Sequence, residues 1–555
     1  MRPVFFSLLA AVSLQALPIG KAVTDPLRYD AQRRVYETQQ REAQTTPKET
    51  YTPLAQHPLK EGEHNATCVT LKQIDTHAIR LIDREKLQAI VAPYLNRCNT
   101  MTDIRNLIRK INNRYIEKAY ITSMAYLKPQ DIASGKLVIS AVEGKIETVK
   151  GKGVKPDLVF WGIENEPLNL RELESGIEQL NRLESKTVTM ALEPGRKTGY
   201  SRVLLEGKQN GLPLHGTLGV NNYGTEASGR VQFSGTLHWE DPLGWNDTLT
   251  LNLNTTDRQE SDNCSLGSSI GYAIPVGRAY LQLGYYRFDY TQIVNGLNKD
   301  YLSEGESRNV MLRVDYKLFH DAKSRGECFV ALERKRNDNY LAGVYLENSS
   351  NVLSVLQAGY SHTVNGEIWR GYATLTYHKG MPWFGATGGA FAKPTFDKAT
   401  LSLLFSQEWF IETVRPVTYT FSFYGQLANE KIIATEQIGI GGPYSVRGFR
   451  NEEQLSGNNG FYLRNEWSVT YPVSSFFFSP FVSFDYGVVE ENDYSYGGRI
   501  AGLGMGFRLH EKRWTLSLSA SKSVADSNHI TYRPNGDMII KDDKPFLGFE
   551  LSYRF

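Results

Sequence analysis

Arg447 stands in Val446-Arg447-Gly448-Phe449, and Asp485 stands about one hairpin later in Ser483-Phe484-Asp485-Tyr486-Gly487. Along Phe481–Val488 the apolar residues Val482, Phe484, Tyr486 and Val488 alternate with Ser483, Asp485 and Gly487. Successive residues of a strand face opposite sides, so Asp485 and Gly487 point inward while the apolar set suits lipid. We expect an Arg447–Asp485 ion pair that anchors a loop tip to an inner wall. Such a pair in a partly water-filled lumen is worth more than a surface pair and less than a dry one. On composition alone, an ordinary loop arginine and an ordinary lumenal aspartate are the better reading.

Other chemistry is weakly signalled. Gly267-Ser268-Ser269-Ile270-Gly271 matches G-x-S-x-G, but that elbow needs a strand-to-helix turn and these residues lie inside a strand pattern. No H-E-x-x-H and no phosphate-binding G-x-x-x-x-G-K-[ST] is present, so no enzyme activity and no cofactor are expected. Cys68 and Cys98 fall in one small domain beyond an export signal, where an oxidising periplasm lets them pair. Neither has the neighbours of a zinc site, and no metal is expected. Cys264 and Cys328 fall in separate strands near opposite ends and read as unpaired.

The elements that position these residues follow from patterning. Arg2 precedes an apolar run, Phe5 to Leu17, too short to span a bilayer; it reads as a cleaved secretory signal over 1–22, with cleavage near Gly20 to Thr24. Mean hydropathy is −0.38, yet a barrel hides its lipid face in alternation. The formal net charge of +2 does not argue for a nucleic-acid partner. Residues 23–62 comprise a polar helix-favouring stretch, about Asp25 to Gln44, and a Pro-rich linker over 45–62. With almost no apolar face, the stretch is either a solvated leader or a helix lying in water inside a pore.

Residues 63–143 form a small α/β module. Val69, Leu71 and Ile74 suggest a strand, Arg84 to Leu95 a helix, and Thr100-x-x-Asp103 a capping-box start to a second helix. Strands are expected over Ile121–Leu127 and Leu137–Val142. Residues 144–209 repeat the pattern, with a helix over Leu168–Leu183 and strands at Ile146–Val149, Val188–Leu192 and Ser201–Leu205. Each module is expected to leave a sheet edge that an extended client could join.

Residues 210–555 read as antiparallel hairpins of a transmembrane barrel of about sixteen strands. Trp514, Leu516, Leu518 and Ala520 alternate with Thr515, Ser517, Ser519 and Ser521; the last strand places Phe549, Leu551, Tyr553 and Phe555 on one face. Short connections at Asp241–Gly244 and Pro472–Ser475 alternate with longer ones at 292–306, 428–458 and 522–544. A barrel of this size has an aqueous interior that something must close. The glycine-rich loop 428–458 is the expected closing element. Arg464 and Glu466 point inward by parity, and Gly502, Gly504 and Gly506 at period two leave room for an infolded loop.

Taken together, the chain resembles the outer-membrane translocators of two-partner secretion, the TpsB family. The likeness rests on Cys68, Thr102-Asp103-Ile104, Gly135-Lys136-Leu137-Val138-Ile139 and Glu143-Gly144-Lys145-Ile146 in the first module. In the second it rests on Pro167-Leu168-Asn169-Leu170-Arg171, Leu180-Asn181-Arg182-Leu183, Pro194-Gly195 and Gly199-Tyr200-Ser201. In the barrel it rests on Val446–Phe449 and Asp485–Gly487. Two departures stand out: Ser483 replaces an aromatic, and Ala119 replaces a glycine. The resemblance implies two POTRA domains, a plug helix and an outer-membrane location with the POTRA domains in the periplasm. Its implied partners are a secreted large β-helical exoprotein that binds the POTRA domains through its N-terminal secretion domain, membrane lipid, and the machinery that inserts barrels. An assembly factor of the same superfamily or a passive porin would share part of this pattern; two modules and a polar N-terminal helix favour the exporter.

Overall fold

The computed structural model describes residues 25–40 and 68–555, apart from 226–227, 258–262, 296–298, 321–322, 389–392, 412–414, 451–453, 491–496, 528–530, 533–537 and 540–543. The expected signal and linker lie outside the described residues.

The first module is built on two helices, α2 (Arg84–Val91) and α3 (Met101–Glu117), after the N-terminal helix α1 (residues 25–40). Thr100 and Asp103 close a reciprocal capping box, satisfying amides at the start of α3 that lack an intrahelical partner. The cap's amide and hydroxyl bonds favour the ionised Asp103 and hold its carboxyl below the usual range. Ile104, Leu107, Ile111 and Tyr115 recur along α3 and are buried against Leu71, Leu137 and Ile139. The expected first strand divides into Cys68–Thr70 and Gln73–Asp75, and a disulfide joins Cys68 to Cys98. Ala119 adopts φ +64°, the left-handed region that glycine occupies most readily. Its carbonyl accepts the Leu170 amide at 2.9 Å, linking the first module to the second.

The second module packs α4 (Leu170–Leu180), shorter than the expected 168–183, on a three-stranded sheet. Lys145–Lys152 pairs parallel to the central strand Tyr200–Gln209, and Lys186–Pro194 pairs antiparallel on its other side. Asn169 caps α4 by accepting from the Arg171 amide.

The barrel has sixteen long strands: β1 (Leu214–Asn221), β2 (Gln232–Glu240), β3 (Thr248–Thr256), β4 (Cys264–Val276), β5 (Ala279–Asn295), β6 (Asp300–His320), β7 (Ser324–Leu341) and β8 (Asn351–Asn365). It continues with β9 (Trp369–Met381), β10 (Asp397–Ile411), β11 (Arg415–Ala428), β12 (Gly460–Val469), β13 (Phe476–Val489), β14 (Gly498–His510), β15 (Trp514–Ser527) and β16 (Phe546–Arg554). All pair antiparallel, and β16 closes onto β1 through Thr217↔Arg554 to Asn221↔Glu550. No helix among the described residues is long and apolar enough to cross a membrane; the crossing is made by strands.

The period-two reading holds along β13, where Val482 and Phe484 are exposed and Ser483 and Asp485 are buried. The reading of 292–306 as a loop fails: β5 and β6 stay paired from Asn295↔Asp300 onward. A spanning strand needs only about 9–11 residues, whereas β6 has 21. The outer part of this hairpin projects past the hydrocarbon, where its faces need no apolar alternation. Likewise β15 extends to Ser527, inside the expected loop 522–544. Gly267–Gly271 lies within β4, paired with Gly284–Phe288 of β5 and not at a strand-to-helix turn. Cys264 and Cys328 are free thiols.

Candidate functional site

The connection from β11 to β12 folds into the barrel instead of outward. Within it a short ladder pairs Ile438–Ile440 with Leu455–Gly457, and Ile438, Ile440, Val446, Phe449 and Leu455 bury themselves with Tyr462, Val489 and Ile500 of the wall. At the tip, Arg447 donates from Nε to Asp485 Oδ2 at 2.7 Å and from Nη2 to Oδ1 at 2.8 Å. Its backbone amide donates to the same carboxylate at 3.0 Å, and Nη1 donates to Glu466 Oε2 at 2.7 Å. Arg508 in turn donates to Glu466 at 2.7 Å, so two cations and two carboxylates alternate in one chain of contacts. Asp485 is 0 % exposed, so this pairing offsets the cost of taking the carboxylate out of water.

The wall is shaped to admit the loop backbone. Asp485 pairs across the ladder with Gly502, where the β14–β15 register shifts. A Cβ on Gly502 would lie 1.6 Å from the Arg447 carbonyl oxygen. Gly448, at φ +95°, has the matching need, since a Cβ there would lie 2.4 Å from the Lys522 backbone. A Cβ on Gly487 would press on Val446 and Ile440. A Cβ on Gly504 or Gly506 would meet wall residues first, Ser483 and Ser521 or Leu518 and Phe481, and Gly504 lines a small cavity together with Arg447 and Gly448 of the loop tip. Arg464 faces the lumen as expected, donates to the Pro443 carbonyl at 3.0 Å and stacks its guanidinium 4.8 Å from the Tyr36 ring centroid.

A second ionic attachment holds the root of the loop and is not signalled by any motif. Glu436 receives Lys335 of β7 at 2.7 Å and Lys398 of β10 at 2.7 Å. The loop is therefore fixed to the β7–β10 side at Glu436 and to the β12–β14 side at Arg447. Arg508 was also missed, although it continues the inward parity row of Gly502, Gly504 and Gly506.

The polar helix α1 lies in the remaining lumen. Arg28, Asp30, Gln32, Arg33 and Gln39 are all buried there. Gln39 donates to Ser402 Oγ at 2.8 Å, Tyr29 Oη to the Tyr223 carbonyl at 2.5 Å, and Arg28 to Ser456 of the loop. Arg34 stacks 4.6 Å from the Tyr286 ring centroid, and Leu27 packs on Phe288 and Tyr290. Tyr444, three residues before Arg447, receives the rings of Tyr29 and Tyr36, each at 5.5 Å. Helix and loop are thus packed on each other as well as on the wall.

Below the barrel, the second module grips the rim. Glu178 of α4 meets Lys317 at 2.6 Å, His320 at 3.4 Å and Arg325 at 3.8 Å. Burial pushes the Glu178 carboxyl up, but the three partners outweigh it and hold it below its usual range. Arg278–Glu172 at 3.0 Å, Lys186–Asp241 at 2.5 Å and the Glu184 and Ser185 amides on Glu240 at 2.8 Å complete the junction.

Comparisons with known proteins agree with this architecture. A family described as haemolysin secretion/activation protein ShlB/FhaC/HecB matches residues 199–509; a ShlB-type POTRA domain matches 69–144 and a further POTRA domain 145–194. The outer membrane transporter CdiB of Dickeya dadantii is 32 % identical over 424 residues, 74 % of this chain and 75 % of that one. The hemolysin transporter protein ShlB of Serratia marcescens is 28 % identical over 542 residues, 94 % of this chain and 95 % of that one. The solved structure of CdiB from Escherichia coli superposes with a TM-score of 0.81 at 25 % identity, covering 96 % of this chain and 99 % of that one. The chain belongs to the ShlB/FhaC/HecB family, the TpsB transporters of two-partner secretion, and is an outer-membrane barrel whose POTRA domains stand in the periplasm.

Proposed function

We propose that this protein captures an unfolded exoprotein in the periplasm through its POTRA domains and passes it outward through its own barrel. The observation that carries this reading is the lumen filled jointly by the polar helix α1 and the infolded loop, of which the helix is the element that leaves. Helix α1 meets the wall through side-chain hydrogen bonds and ring contacts. Such bonds each contribute only about 1 kcal/mol net, because water replaces them on departure. The Arg447–Asp485 pair is the anchor that keeps the loop seated while the helix moves.

The client is a large β-helical haemolysin, adhesin or toxin, a class supported by similar chains named as hemolysin and CdiB transporters. Its N-terminal secretion domain adds to a POTRA sheet edge. No phosphate-binding loop motif supplies nucleotide energy, so folding of the client outside prevents its return. The barrel itself is inserted by the outer-membrane assembly machinery.

The test compares culture medium and periplasm by mass spectrometry with and without this chain. Loss of one large polypeptide from the medium is the expected result. An unchanged medium with depleted outer-membrane proteins would instead assign the protein to barrel assembly.

A further inference from the structure

Trp161 is 76 % exposed, more than any other aromatic residue among the exposed large hydrophobics, although it belongs to a POTRA module and not to the lipid face of the barrel. Its position is fixed by its neighbours. Phe160 is buried in the module core against Gly176 of α4. The Leu158 carbonyl accepts the Gly277 amide of the β4–β5 turn at 2.8 Å, and the Lys155 carbonyl accepts Asn246 Nδ2 of the β2–β3 turn at 3.2 Å. Residues 155–158 therefore run along the periplasmic rim of the barrel. Three further residues of chain span at most about 11 Å, which bounds the distance from this rim contact to Trp161.

The adjoining rim is itself apolar. Leu243 and Trp245, in the turn that Lys155 touches, are 57 % and 44 % exposed, and Trp239 of β2 continues the patch up the lipid-facing wall. The Lys155 ammonium lies over Gly244 of that turn. An indole prefers the boundary between hydrocarbon and head groups, where its ring is shielded and its N–H stays wet. A lysine beside it keeps its charge at head-group depth. That polar layer is roughly 5–8 Å thick on each side of the hydrocarbon, within reach of the rim.

We infer that Trp161, with Lys155, docks the second POTRA module onto the phospholipid head groups of the periplasmic leaflet, extending the lipid contact of Trp239, Leu243 and Trp245. The module is then held on two sides, by ion pairs from α4 to the barrel and by an indole in the membrane interface. Its orientation beneath the pore is set by both.

The test uses the full chain in phosphatidylcholine nanodiscs, with Cys264→Ser and Cys328→Ser and an environment-sensitive fluorophore on Trp161→Cys. Met124→Cys in the first module, also on an exposed apolar residue, is the reference. The expected result is blue-shifted emission at 161 and quenching by head-group spin-labelled lipid several-fold stronger than at 124. Quenching by aqueous iodide equal to that at 124, with no effect of spin-labelled lipid, would overturn the inference. Shielding from both quenchers would overturn it too, since protein would then cover the site. Because the label replaces the indole, brominated phosphatidylcholine is applied to unlabelled protein as well. Trp161→Phe should remove part of the quenchable intrinsic fluorescence; identical quenching of both proteins would contradict the docking.

Discussion

Asp485 sits with no exposed surface at a wall position where the Arg447 guanidinium, itself shared with Glu466, pairs with it. Removing one partner of a buried pair leaves the other charged and desolvated, at a cost of about 3–5 kcal/mol. Arg447→Ala should therefore unseat the loop tip and lower secretion, while heat-modifiable gel migration shows the barrel inserted as before. Normal secretion by the inserted variant would remove the anchor role. Gly502→Ala tests the same contact sterically, since its methyl would overlap the Arg447 carbonyl. It should reproduce the Arg447→Ala defect without altering any charge, whereas Gly504→Ala, whose methyl would meet the Ser483 hydroxyl instead of loop backbone, should be milder. These residues were legible because strand parity is a hard constraint: once Asp485 faces inward, Arg464, Glu466 and Gly502 follow from their own alternation. Glu436 and Tyr444 were not legible. They lie on a non-periodic loop whose path is decided by lumen contacts, and no local pattern encodes that path.

The secondary-structure elements show the same division. Helix α1 was ambiguous in sequence because a polar helix has no packing stripe to betray its partner, and only a polar lumen gives it a burial site. The modules were read closely because their apolar spacing matches their own cores, as at Leu107, Ile111, Leu173 and Leu180. What the sequence hid was their junction with the barrel, made of ion pairs far apart in the chain. There Glu178 carries a pH dependence. Its folded carboxyl lies below its ordinary 4.5, so its docking contribution is complete above that pH and is lost as pH falls through the lower folded value. Lys317, His320 and Arg325 all face this carboxylate. Spin-label distances between the second module and the barrel should broaden on acidification from pH 6 to below 4. Glu178→Gln should be broad already at pH 6 and change less; a Glu178→Gln protein as narrow as the parent would show that this pair does not set the docking.

At the scale of the whole molecule, the strand count was readable from alternation, but strand length was not. The bilayer imposes its pattern only over the hydrocarbon, and the β5–β6 hairpin continues beyond it with residues that read as loop. Closure of the lumen is likewise a property of the assembled protein: α1 and the infolded loop fill it jointly, meeting at Tyr444. On the proposed function, export through this barrel requires that α1 leave. The most direct measurement places Gln39→Cys and Ser402→Cys, whose parent side chains lie 2.8 Å apart, in a Cys264→Ser, Cys328→Ser background. A short reductant-cleavable thiol cross-linker joins them, and client appearing in the medium is followed. Secretion should stop on cross-linking and resume on cleavage, with neither single-cysteine protein affected. Undiminished secretion by fully cross-linked protein would contradict passage through a lumen that α1 must vacate.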